Sequence, residues 1–430
     1  DDVGAARRVI DATGLVVAPG FVDVHAHVDA QVFWDPAITP SSLHGVTTTI
    51  AGNCGFTLAP LDDASADYLI RMLAVVEGMP LEALQAGVPA DWRSVAEYLD
   101  RIDGTLASNA GFLVGHSAMR RVVMGPAATE REATDDEIDA MRTILRDGLA
   151  AGALGFSSSR GPAHFDAEGR PVPSAFASPG ELVELAAVCR DFPGTSLEFI
   201  PSRLGSFDPA ELDLLASMSR AGQRPLNWNL IRISASDRSE LDMAFEVGAH
   251  ARANGGRVVA LHMPIPSRAR FSFKTGFVLD ALPGWGEVLS LPLDERLRAL
   301  ADPGVRRKLA EGAAQAKGGL AEIAQFGNRI ITETFTEETK RYEGRNVAEL
   351  AAERGVSPLD ALLDIVCADR LETMFTRPPS EPSRADWEAG VEAWRDGRVM
   401  IGASDVGAHL DFTAYFDYPV YVLEKAVREH

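Results

Sequence analysis

The chain reads as an α/β protein, a (β/α)8 barrel with a large insertion between its seventh and eighth strands. Three observations predict it. Strand-like and helix-like runs alternate along 430 residues, the order of a parallel sheet wrapped by helices. Eight strands can be counted, ending at Val24–His27, Val46–Gly52, Gly111–His116, Ala153–Ser158, Ser196–Ile200, Leu226–Ile231, Val258–His262 and Val399–Asp405. Polar or soft side chains close nearly every one of them, where barrels of this kind keep their active sites. An open doubly wound sheet is the structural alternative.

The first strand is an apolar run from Gly14 to Val24 that closes on His25-Ala26-His27. Residues i and i+2 of a strand share a face, so both imidazoles project together and can hold one metal ion. That nominates a metallohydrolase, although His-x-His alone can also be an accident of surface or core. The second strand runs into Ala51-Gly52-Asn53-Cys54-Gly55. Its flanking glycines permit close approach, and a Cys54 thiolate is a strong zinc ligand; the other reading is a small inert hydrophobe.

The third strand ends at His116 and the fourth at Ser157 to Ser159. The loop that follows carries Arg160 to the barrel mouth, where it can pair with a substrate carboxylate or stand solvated. The fifth strand offers Glu198, the sixth Asn227 and Asn229, and the seventh His262. Ser158, Asn227 and Asn229 are candidates for substrate contact. The eighth ends at Asp405, a carboxylate placed to take a proton from water and return it to a leaving amine. Between these strands, Thr134-Asp135-Asp136-Glu137 reads as a capping box, Ser178-Pro179 and Asp208-Pro209 as capped helix starts, and Gly222 as a helix stop. The insertion, Met263 to Gly397, has helical patterns at Leu293–Leu300 and Val347–Ala368, and serves either as a lid over the mouth or as packing.

Composition narrows the partners. A hydrophobic fraction of 46% with 24% charged residues supports a large buried core. A net charge of -21 disfavours nucleic acid and anionic membrane surfaces. Three cysteines, Cys54, Cys189 and Cys367, are too few and too far apart for a disulfide framework, and the last two fall within helical patterns. The sequence has neither a spanning apolar run nor a secretory pattern at Asp1-Asp2-Val3-Gly4, so a cytoplasmic enzyme acting on a small molecule is expected, with homo-oligomerisation left open.

With these residues in place the chain resembles the amidohydrolase superfamily, in particular its D-aminoacylase (N-acyl-D-amino-acid deacylase) branch. The stretches that carry the resemblance are Pro19 to His27, His44-Gly45-Val46-Thr47-Thr48, Gly52-Asn53-Cys54-Gly55, Gly115-His116-Ser117, Gly152-Ala153-Leu154-Gly155-Phe156-Ser157 and Gly402-Ala403-Ser404-Asp405. The resemblance implies a zinc-dependent hydrolase of N-acyl amides, N-acyl-D-amino acids first among them. It implies His25 and His27 as zinc ligands, Cys54 as the branch's unusual cysteine ligand and Asp405 as acid/base at the metal.

Two positions depart from the family, which places metal-binding histidines where this chain has Glu198 and the Asn227/Asn229 pair. One or two zinc ions are therefore open. Glu198 can complete a single-metal site, leaving His116 or His262 to polarise the substrate carbonyl; His116 or His262 can instead replace the missing ligands; or tight metal binding is lost and the barrel serves binding or assembly. The first repair is favoured, because a carboxylate beside Cys and His suits zinc. The resemblance also implies a small β-sandwich, of which residues 1–17 would be a remnant. Residues 18–430 would then be the barrel, including the 263–397 insertion, and the chain the core of a longer protein.

Overall fold

A computed structural model describes residues 7–202, 207–266, 268–276, 278–317, 319–378, 381–409, 412–413 and 415–429. Residues 1–6 of the expected N-terminal remnant lie outside that set. Each barrel strand is short and apolar toward the helices. In order they are β1 (Phe21–Asp23), β2 (Val46–Ala51), β3 (Asn109–Phe112), β4 (Val114–Gly115), β5 (Gly155–Ser159), β6 (Ser196–Ile200), β7 (Leu226–Ile231) and β8 (Val258–His262). The segment between barrel positions seven and eight contributes β9 (Arg270–Phe271), β10 (Ile330–Glu333) and β11 (Met374–Thr376), and β12 (Val399–Ile401) ends the set.

Parallel pairing runs β1-β2-β3 in one arc and β4-β5-β6-β7-β8-β12 in the other. β3 and β4 are two pieces of the single run read from sequence, parted at Leu113, whose N–H turns to the Ala51 carbonyl at 2.9 Å. The ring closes where the Asp405 N–H donates to the His25 carbonyl (3.1 Å) and the His27 N–H to that of Val406 (2.7 Å). Eight barrel positions result, and the fold is the (β/α)8 barrel.

The main core fills the space between strands and helices with Phe156, Phe199 and Trp228, all buried. The insertion has a sheet of its own, antiparallel in the order β10-β11-β9, over a separate core around Phe273, Trp285 and Phe375. The capping signals formed: Thr134 and Glu137 close a capping box, and Ser178 and Asp208 accept the N–H groups of Glu181 and Glu211. The helix Pro209–Gly222 stops at Gly222 as expected, with Gln223 rather than the glycine taking the left-handed turn at φ 47°; glycine suits position 222 because a side chain there would come within 2.7 Å of the Ala186 carbonyl. No helix among the described residues is long and apolar enough to cross a membrane.

One buried polar network braces the helix layer outside β4 and β5. Arg120 donates to both oxygens of Glu181 at 2.5 Å, and His116 Nε2 lies 2.8 Å from the same carboxylate. Burial alone would raise Glu181, but His116 and Arg120 outweigh it and bring the carboxyl down to about 2. Its contribution is complete above the unfolded carboxyl value of about 4.3 and fades as pH falls toward the folded one. Removing the carboxylate strands a fully buried guanidinium, so Glu181→Ala is expected to destabilise by about 3–5 kcal/mol in urea unfolding.

Candidate metal centre

Just past β1 the alternation of the strand carries Asp23, His25 and His27 to one side, all buried. The Nε2 atoms of His25 and His27 lie 3.5 and 3.9 Å from Cys54 Sγ, and the rings meet edge to face at 5.1 Å. One ligand atom from each of the three falls within 4.8 Å of the others. Cys54 reaches this point from the short turn Asn53–Gly55 with φ 56°, a conformation that costs a non-glycine residue free energy and persists where the surroundings enforce it. Gly52 before it has φ 77°, and a Cβ there would sit 2.5 Å from the Leu113 carbonyl.

Asp405 is held the same way, at φ 56°. Its Oδ1 stands 3.3 Å from His27 Nε2 and 3.7 Å from His25 Nε2. The buried Asp23 carboxylate fixes the preceding turn by accepting the N–H (3.1 Å) and the hydroxyl of Ser404. Around these four groups lies a second ring of carboxylates. Glu198 accepts the Cys54 N–H at 2.8 Å and the Asn229 amide, which also lies 3.0 Å from His25 Nδ1. Glu77 places Oε1 3.1 Å from His27 Nδ1, at ion-pair distance but short of hydrogen-bond alignment.

The electrostatics call for a cation. Burial disfavours charge on His27, yet Glu77, Asp405 and Asp29 outweigh it and raise the imidazole to about 9. Burial pushes the Cys54 thiol well above its ordinary range, and Glu198, Glu77 and Asp405 push the same way, so a thiolate at this position needs a cation beside it. Two imidazole nitrogens, one sulfur and a neighbouring carboxylate oxygen form a donor set suited to zinc. The residues fit the group.

A cleft of about 220 Å³ opens over this cluster, lined in part by His25, His27, Cys54, Asn229 and Asp405. Several residues singled out from sequence do not line it, and strand parity gives the reason. On β5, Ser157 and Ser159 turn inward, so Ser158 and Arg160 fall on the other face. The Ser158 hydroxyl meets His116 Nδ1 at 2.8 Å, and Arg160 joins the sheet through its N–H to the Ile200 carbonyl. His116 has both ring nitrogens engaged in the helix layer, and cannot turn to a metal or a carbonyl without leaving Glu181. On β8, Leu261 and the following Met263 face the cleft, so His262 faces a neighbouring cavity and accepts the Trp394 indole N–H at 3.0 Å. Glu198 is close to the cluster and braces the Cys54 turn, one oxygen accepting the Cys54 N–H and the other the Asn229 amide. Asn227 stops one step short of the cleft, its amide on Asn229 at 3.3 Å.

Three titratable lining residues were not candidates from sequence: Glu77 at the end of the helix Ala66–Val76, His164 in the loop after β5, and His409 beyond β12. None ends a strand, and in one sequence nothing but residue type marks them.

Barrel, cluster and cleft together have the build of a metal-dependent hydrolase. The amidohydrolase family model matches residues 8–417. An uncharacterized protein of Mycobacterium tuberculosis is 30% identical over 458 residues, covering 99% of this chain and 70% of that protein. A D-aminoacylase of Alcaligenes xylosoxydans xylosoxydans is 38% identical over 187 residues, 43% of this chain and 34% of the enzyme. A solved D-aminoacylase structure, described as having a binuclear metal centre with one-metal activation, superposes with a TM-score of 0.53 at 25% identity, covering 94% of this chain and 68% of that one. The chain belongs to the amidohydrolase family, in its D-aminoacylase branch.

Proposed function

We propose that the protein hydrolyses an N-acyl amide at a single zinc ion held by His25, His27 and Cys54, with Asp405 as the acid/base group. The observation that carries this is the convergence of two imidazoles, a strained cysteine and a strained aspartate at one point of the barrel mouth. Bound there, zinc supplies Lewis acidity and brings the pKa of water toward about 7. Asp405 Oδ1 accepts one proton of the attacking water and delivers it to the nitrogen as the C–N bond breaks, leaving an amine and a carboxylic acid that releases its remaining proton to solvent. Glu198 and Asn229 stand where a second ion's ligands would be needed, and each is committed to the other and to the first cluster, which favours one ion over two.

N-acyl-D-amino acids are the leading substrates, on the strength of the D-aminoacylase and N-acyl-D-aspartate deacylase relatives. A second reading is an uncharged amide. It is favoured by the cleft's aliphatic wall of Val76, Ile200, Leu230, Leu261 and Met263, and by the position of Arg160 outside that wall. Assaying paired D- and L-N-acyl amino acids beside neutral aryl and cyclic amides separates the two. D-selective deacylation supports the first, and turnover confined to neutral amides supports the second. Elemental analysis tests the common premise: a folded preparation that takes up no stoichiometric metal returns the barrel to a binding role.

A carboxylate 3.1 Å from the far nitrogen of a ligating imidazole favours the proton on that nitrogen and leaves the other nitrogen's lone pair for the metal. Glu77→Gln is therefore expected to weaken zinc retention by about 10- to 100-fold in competition with a chromogenic chelator. Unchanged retention would remove Glu77 from the metal's support.

A further inference from the structure

We propose that His164 donates a hydrogen bond to the substrate carbonyl oxygen as negative charge builds on it, with Ser159 as its positioning residue. The proposal rests on the amide-hydrolase reading above. His164 lines the cleft that also exposes His25, His27, Cys54 and Asp405. Its Nδ1 lies 2.7 Å from the hydroxyl of Ser159, a residue with no exposed surface. That hydroxyl already accepts the Gly161 N–H at 3.0 Å, so its own proton still needs an acceptor, and among the described residues His164 Nδ1 supplies one. A neutral imidazole whose Nδ1 accepts carries its proton on Nε2. The ring therefore offers the cleft a fixed N–H donor.

The loop that presents His164 is built to hold it still. Asp166 is buried and accepts the Tyr68 hydroxyl at 3.0 Å and the N–H groups of Glu168 (3.0 Å) and Arg170 (2.9 Å). The His164 carbonyl accepts the Val172 N–H at 3.2 Å, and the buried Phe56 ring meets the imidazole edge to face at 5.0 Å. Gly161 leaves room for the ring, since a Cβ there would approach both His164 Nδ1 and Ile200 at 3.0 Å. Burial and the His27 and His409 imidazoles hold His164 down at about 4, so the ring is neutral near pH 7. A preorganised neutral donor in a partly desolvated cleft stabilises charge that appears only in the transition state. The hydrogen bond forms as the carbonyl π pair moves onto oxygen and water adds to carbon. It weakens when the pair returns and nitrogen leaves with the proton carried by Asp405, so His164 gives up no proton in the cycle.

The experiment compares zinc-loaded wild type with His164→Ala, His164→Gln and Ser159→Ala, using whichever of an N-acetyl-D-amino acid or acetanilide the wild type turns over. It reads kcat, KM, zinc content and the imidazole ¹⁵N spectrum. His164→Ala is expected to lower kcat by about 100- to 1,000-fold, with KM nearly unchanged and zinc content equal to wild type. His164→Gln, which keeps a side-chain N–H, should recover part of the loss, and Ser159→Ala should lose less than His164→Ala. The wild-type spectrum should show the proton of His164 on Nε2. Wild-type kcat in His164→Ala, a fall in kcat matched by a fall in zinc, or a proton found on Nδ1 overturns the assignment while leaving amide hydrolysis standing. A zinc-loaded wild type with no turnover of any amide overturns the functional reading and this role with it.

Discussion

Asp405→Asn is expected to lower kcat by about 100- to 10,000-fold with the zinc still bound. The substitution preserves shape and removes the carboxylate's charge together with its ability to take a proton, while His25, His27 and Cys54 remain to hold the ion. Asparagine also tolerates the left-handed backbone better than most residues, so φ 56° at this position is kept without new strain. The turn is secured independently of the side chain, by the Asp405 N–H on the His25 carbonyl at 3.1 Å and the Ala408 N–H on the Asp405 carbonyl at 3.2 Å. Burial would raise the Asp405 carboxyl, but His27 outweighs burial and holds it well below the usual carboxylate range, so it is ionised at neutral pH. Steady-state kinetics beside elemental analysis decide the matter. A variant within tenfold of wild type, fully loaded with zinc, assigns the proton transfer elsewhere.

Much of the fold was legible because it depends on local pattern. The runs at Ser196–Ile200, Leu226–Ile231 and Val258–His262 coincide with β6, β7 and β8, since each is short, apolar and bounded by turn residues. His25, His27, Cys54 and Asp405 were legible because strand ends converge in a barrel, however far apart they lie in the chain. His262, Ser158 and Arg160 were misplaced by a single neglected rule. A strand end is not enough, because only alternate residues point inward, and on β8 that parity belongs to Leu261.

The surroundings of His116 and Glu198 are set differently. Their neighbours in space, Glu181 and Asn229, are remote in sequence, so the hydrogen bonds that hold His116 in the helix layer and Glu198 behind the Cys54 turn have no local signature. Glu77 and His164 were invisible because a helix end and a loop have no periodicity that aims a side chain. What aims them is tertiary contact: Glu77 beside His27, and His164 clasped by Ser159.

Cys54→Ala carries the other large effect, and it separates binding from turnover. The sulfur lies 3.5 and 3.9 Å from the two imidazole nitrogens, so its loss takes the one thiolate out of the donor set and leaves two nitrogens and a carboxylate. Loss of a direct ligand should exceed the penalty for an outer partner, which puts the fall in zinc affinity above about 100-fold. The fold has its own reasons to survive the change, because the Asn53–Gly55 turn is held by backbone groups: the Cys54 N–H on Glu198 at 2.8 Å and the Gly55 N–H on the Ser157 hydroxyl at 3.1 Å. Alanine at φ 56° keeps the same backbone strain as cysteine, so any change in stability reports the sulfur. Dialysis against a chelator followed by elemental analysis should find wild type loaded and the variant empty, with circular dichroism alike for both. Full zinc and full activity in Cys54→Ala would reduce the thiol to packing.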